Sequence, residues 1–355
     1  AVDYRLPVSF PLTLTVEGMY NKDIYNVVMR NWNIVNNGNL SRFAGPDNRL
    51  DYSTSTTGNY LVDKNVTGGA VILDNDTRGY SASFNTMVTA EPIKDLNLMF
   101  SYTHQWAKEI TGLPGNQAYS TWQGLYAVDG PNNAELHNAQ YLTPDKLIAS
   151  LTYRKDYGKY FATSVGLYYA AYSSGMYNYY YSNDMNGDKN SFDLMYIPRT
   201  KDELKFVDKN GFTAAEQAEA FWRFVEQDKY LSAHKGEYAE AYGAALPWVH
   251  RFDLKVTQDF RLRAGKAIHT LQLSFDILNV GNLLKSSWGV TQTTSPSNYG
   301  KVLRYEGKDA NGVPTYSMGY NTVNKKKELY SRTYEPYRNS SNCWQMQIGL
   351  RYIFN

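Results

Sequence analysis

Eight segments of this chain share one pattern, with large apolar residues at every second position and polar residues between them. The pattern is clearest in "CWQMQIGLRYIFN", residues 343 to 355. There Trp344, Met346, Ile348, Leu350, Tyr352 and Phe354 alternate with Cys343, Gln345, Gln347, Gly349, Arg351, Ile353 and Asn355. A period of two describes a strand with two unlike faces. In a soluble sandwich the apolar face meets a second sheet. In a transmembrane barrel it meets lipid, and the polar face lines the lumen. One strand does not separate these readings.

The other segments are Leu6–Tyr20, Tyr80–Ala90, Leu96–Trp106, Leu147–Tyr153, Phe161–Ala171, His250–Leu262 and Thr270–Ile277. "RFDLKVTQDFRLR" carries Arg251, Asp253, Lys255, Asp259, Arg261 and Arg263 in phase on its polar face. That is a solvated outer face in a sandwich and a charged lumen wall in a barrel.

The connections weigh the two. Three pairs of segments are joined by short turns, at Glu91–Asp95, Lys155–Lys159 and Arg263–Lys266. Between the hairpins lie long polar stretches, about 31–78, 107–144, 173–247 and 282–342. Long structureless loops are uncommon inside compact domains, whereas short turns at one end and long loops at the other are the rule in outer-membrane barrels. The expectation is therefore an all-β fold, a transmembrane antiparallel β-barrel of about eight strands with long extracellular loops. The final strand then presents its even positions to lipid.

Composition agrees. No run of 18 apolar residues occurs and the mean hydropathy is negative, which excludes a transmembrane helix but not barrel strands. Thirty-two of the 355 residues are tyrosine, an excess that suits interfacial girdles. A net charge of +2 gives no electrostatic case for nucleic acid. The single cysteine, Cys343, rules out a disulfide framework. The start, AVDYRLPVSF, has no signal-peptide pattern.

"PWVHRFDLKVTQDF", "LQLSFDILNVGNLL" and "IGLRYIF", in this order and spacing, resemble the last strands of TonB-dependent receptors, most closely the Oar-like branch. "EGMYNKDIYNVVMRNWN", "RFAGPDNRLDY" and "DMNGDKNSFDLMYIP" fit the same group, so the resemblance spans nearly the whole chain. It implies a barrel of about 22 strands, of which these segments, with a stub at Ala1–Arg5, would be the C-terminal third. It also implies a plug domain and TonB box, neither of which lies in this sequence, and an outer-membrane location in a Gram-negative bacterium. The implied partners are the bilayer, the barrel-assembly machinery, the TonB complex acting through that plug, and a surface lipoprotein of the kind that glycan-importing relatives use. The terminal residues Trp344, Ile348, Leu350, Tyr352 and Phe354 would act as the assembly signal, with the aromatic penultimate instead of last.

Three features are candidate sites. Asp184, Asn186, Asp188, Asn190 and Asp193 in "NDMNGDKNSFD" place oxygen side chains at alternate positions, a spacing that suits calcium. Against an EF-hand loop, Lys189 and Met195 stand where Gly and Glu belong, and such runs are also ordinary turn chemistry. Thr213 and Glu216 form a capping box ahead of Ala214, Ala218, Phe221, Trp222 and Val225, which predicts a helix over about 214–229 that packs on the loop base or serves as a lid. In "LYYAAYSSGMYNYYYSND", phase from Phe161 sends Tyr169, Tyr177, Tyr179 and Tyr181 outward as girdle and Tyr168, Tyr172 and Tyr180 into the lumen, where ligands stack on rings. A bulge at Gly175 would exchange those faces beyond it.

The five histidines show no ligand spacing, and no P-loop, dinucleotide fingerprint or hydrolase elbow is present. The expected function is TonB-dependent uptake of a nutrient and not an enzymatic activity. The alternatives are a self-closed small barrel with a structural or adhesive role, and a soluble sandwich.

Overall fold

A computed structural model of the chain describes residues 1–56, 58, 60–66, 69–295 and 298–354. The fold is dominated by one antiparallel sheet. Its strands, in chain order, are β1 (Val2–Arg5), β2 (Leu12–Lys22), β3 (Tyr80–Ile93), β4 (Leu96–Glu109), β5 (Asp145–Tyr157), β6 (Phe161–Ser173), β7 (Trp248–Ala264), β8 (Ala267–Leu278) and β9 (Gln345–Phe354). Each pairs with its neighbour in sequence, and the two-residue strand His137–Asn138 extends the far end of β4.

Each of the eight segments forms a strand, with two boundaries moved, and β9 begins at Gln345, after Cys343 and Trp344. The alternation at Val8 and Phe10 belongs to a turn, because Leu6 donates its N–H to the Leu12 carbonyl and reverses the chain. The stub Ala1–Arg5 forms β1 on the far side of that turn. The hairpins turn on left-handed residues, Asp95 (φ 68°), Gly158 (φ 60°) and Gly265 (φ 62°). That region is open to glycine and tolerated by a short polar side chain.

Register lines up the apolar faces across the sheet. Leu12, Ala90, Leu98, Leu151, Leu167, Leu254, Ile277 and Met346 form one cross-strand row. On this face Phe84, Phe100, Leu167, Phe252, Phe260 and Phe275 are exposed. On the opposite face of β7, Thr257 and Asp259 are buried. The buried residues of β7 thus lie on its polar side and its apolar residues are exposed or half-buried, the reverse of a strand in a water-soluble sandwich. The sheet does not close: among the described residues, β1 and β9 each have one neighbour and are not paired with each other.

The buried hydrophobic core is in the long connections. Segments 23–79, 110–144, 174–247 and 279–344 all leave the same end of the sheet. Phe43, Tyr179, Tyr181, Ile197, Phe221, Val225, Leu231, Leu303 and Tyr316 pack in one cluster drawn from three of them. A second cluster sets Met29, Leu50 and Tyr52 against Trp122. The long polar stretches thus fold together into a packed cap.

Candidate functional site

The cap is held by two buried carboxylates. Asp47 accepts hydrogen bonds from Arg49 Nε (2.8 Å), Tyr181 Oη (2.6 Å) and Tyr316 Oη (3.0 Å), so one side chain ties three loops. Arg49 is fully buried and also donates to the Leu194 carbonyl at 2.6 Å. Asp228 accepts from Tyr179 Oη and Thr333 Oγ1, both at 2.6 Å. Its other oxygen accepts from the Tyr230 and Leu231 N–H groups at the start of a short helix, Lys229–Ala233. Burial, and next the facing Asp47, raise the Tyr181 phenol well above its ordinary value, so it stays a donor.

These bonds correct the tyrosine reading. The strand β6 ends at Ser173, and Gly175 (φ 149°) takes the chain out of phase. Tyr177, Tyr179 and Tyr181 are therefore core residues of the cap and not outward girdle. Tyr168 and Tyr172 do lie on the polar face of β6, opposite Asp253 and Val249 of β7. Tyr180 is not brought to them. It is buried in the cap, its ring 5.0 Å from that of Tyr126 and 6.0 Å from that of Phe192.

The capping-box helix spans Ala214–Gln227, with Thr213 Oγ1 accepting from the Glu216 N–H and Glu216 Oε2 accepting from the Thr213 N–H. Its buried face is Gln217, Ala220, Phe221, Phe224 and Val225. Trp222, assigned to that face by spacing, instead sits under the Lys235 ammonium, 4.4 Å from its ring centre. The helix packs on the cap core.

The loop 184–193 is largely buried, with Lys189 and Ser191 exposed. Asp184 accepts from the N–H groups of Gly187 (2.7 Å) and Lys189 (2.9 Å), and Lys189 has φ 67°. Asp188 accepts from the Asn190 N–H at 2.7 Å, and Asp193 from the Met185 N–H at 2.7 Å. Burial first, and then the neighbouring Asp184, push the Asp188 carboxyl up to about 7. Among the described residues no three acidic, histidine or cysteine side chains converge on one point.

Several open spaces adjoin the cap. A cavity of about 270 Å³ sits where three loops meet, bounded by Arg42, Tyr126, Asp129, His137, Tyr238 and Glu240. Arg42 Nη2 and Asp129 Oδ2 are 2.8 Å apart at its edge. A larger cleft, about 630 Å³, lies at the foot of the last loop beside β9, lined by Asn282, Ser286, Gln292, Arg338 and Asn342. Charged groups and phenol rings in the smaller cavity suit a polar ligand with a stackable face. Sequence reading missed it because its walls come from positions about two hundred residues apart.

The polar face of the sheet carries its own network. Arg154 reaches Asp259 (2.9 Å), Arg261 reaches Asp156 (2.8 Å), and Lys255 reaches Asp276 (2.7 Å). In the terminal segment Ile348, Leu350, Tyr352 and Phe354 are exposed along β9, and Trp344 precedes it with its N–H on Asn282 Oδ1 (3.2 Å). Asn355 lies outside the described residues. No family model, curated protein or solved structure matches the chain.

Proposed function

We propose that this chain supplies the C-terminal strands and external cap of a larger outer-membrane barrel, an Oar-like TonB-dependent receptor that takes up a nutrient. The observation that carries the reading is the apolar row continuous over eight strands, with no second sheet packed on it among the described residues and the charged network on the other side. A face of that extent is rare on a water-soluble monomer and ordinary in lipid.

Two aromatic bands support the same reading. Tyr20, Trp106 and Trp248 lie on the apolar face near the cap, and Tyr157, Phe161, Phe260 and Tyr352 lie on it near the short turns. Trp248 and Phe260 are twelve residues apart on β7. At about 3.3 Å per residue that is roughly 40 Å of strand, and at a tilt of about 45° it rises roughly 28 Å, close to the hydrocarbon thickness.

Open edges at β1 and β9 suit a sheet completed by further strands, and they do not favour the self-closed small barrel. On this reading the cap cavity receives the nutrient and the polar face lines the route, while coupling to TonB resides in a plug outside this sequence. Peptide mapping and intact mass of the native outer-membrane polypeptide containing these residues test the proposal. A chain more than about twice this length with a plug ahead of the barrel is expected. A mature protein that starts near Ala1, with no separate plug chain, would contradict it.

A further inference from the structure

Around the turn 184–193 buried carboxyl groups outnumber buried cations among the described residues. Asp47, Asp188 and Asp193 are all nearly inaccessible, and Asp184 lies on the same turn as the last two. The fully buried cation beside them is Arg49, which is bonded to Asp47 and stands 3.8 Å from Asp193 Oδ1. An unpaired buried carboxylate is strongly disfavoured unless a proton or cation neutralises it.

Unused oxygens accompany that excess. Asn190 is buried (4% exposed), its N–H is bonded to Asp188 Oδ1, and its own Oδ1 has no hydrogen-bond partner among the described residues. A buried amide oxygen without a donor leaves a lone pair directed at nothing, which is rare in folded proteins. Asp193 Oδ2 is taken by the Met185 N–H, and Oδ1 stands 3.8 Å from Arg49 Nη1, itself without a hydrogen-bond partner among the described residues. Among the described residues, Asp188 Oδ2 accepts one long hydrogen bond, 3.4 Å, from the Asn186 side-chain amide. Asp184, by contrast, has both oxygens on backbone N–H groups.

We propose that the turn 184–193 binds one calcium ion, held by the Asp188 and Asp193 carboxylates and the Asn190 side-chain oxygen, with Asp184 shaping the turn. Calcium takes hard oxygen ligands of mixed kind and flexible geometry, so two carboxylates completed by amide, carbonyl and water oxygens suffice. This explains why no trio of acidic side chains converges here. Magnesium, which demands near-octahedral geometry and keeps its waters, fits the turn less well. The ion would stiffen the contact between this turn and the first loop, where the Tyr52 N–H bonds to the Asn186 carbonyl at 2.8 Å. The inference does not depend on the transport reading.

The test is calorimetric titration of the full folded chain, in detergent and after chelation, with calcium chloride and separately with magnesium chloride. The expected result is saturable binding of one calcium per chain, no comparable magnesium isotherm, and a higher melting temperature with calcium. Asn190→Ala and Asp188→Asn, each checked for folding by its spectrum, should bind calcium at least about tenfold more weakly. Failure of the folded wild type to bind calcium saturably would overturn the site. So would affinity unchanged in both variants.

Discussion

At the residue scale, one position on β7 separates the two environments of the sheet. Leu254 lies mid-strand on the apolar face, between Leu167 and Ile277. Leu254→Arg should destabilise the folded protein in lipid by about 2–4 kcal/mol, the cost of a midplane arginine, as read from unfolding in vesicles. The neighbouring Lys255 faces Asp276 on the polar side, and Lys255→Arg should leave that stability nearly unchanged. In the cap, Arg49→Leu strands the Asp47 carboxylate among buried phenols. Breaking a buried pair costs about 3–5 kcal/mol, so the variant's loops should be cut by protease far faster than the wild type's while the sheet stays protected. Nothing local in "GPDNRLDY" marks Asp47 and Arg49 as buried, since the groups that surround them, Tyr181, Leu194 and Tyr316, are distant in sequence.

At the element scale, the signals with a local cause were readable. The capping box at Thr213 and Glu216 marks the helix Ala214–Gln227 because both partners lie within one turn. Thr213→Ala should cost about 1 kcal/mol and show as faster amide exchange in the first turn of that helix alone. Period two located the strands because each has two unlike faces. Phase failed after Gly175, where the backbone leaves the sheet and Tyr177, Tyr179 and Tyr181 turn into the cap. Composition alone cannot distinguish a girdle tyrosine from one whose hydroxyl sits on a buried Asp47 or Asp228, because both need one apolar and one polar side.

At the scale of the whole molecule, the apolar surface is placed where soluble proteins have their polar one, and the dense core is placed where soluble proteins have their loops. Alternating short turns and long connections implied the sheet's two ends, but not that four connections would pack as one body. That packing depends on contacts between residues 43, 181, 221 and 316, which no window of sequence contains. The central claim, that the apolar face meets lipid, is tested most directly by moving a single tryptophan along β7 in an otherwise tryptophan-free chain folded into vesicles. Quenching by brominated lipid should be strong at 252, 254 and 256 and weak at 253, 255 and 257, a period of two in step with the row that joins Leu167, Leu254 and Ile277. Uniformly weak quenching, with the protein remaining monomeric in buffer without detergent, would contradict the account.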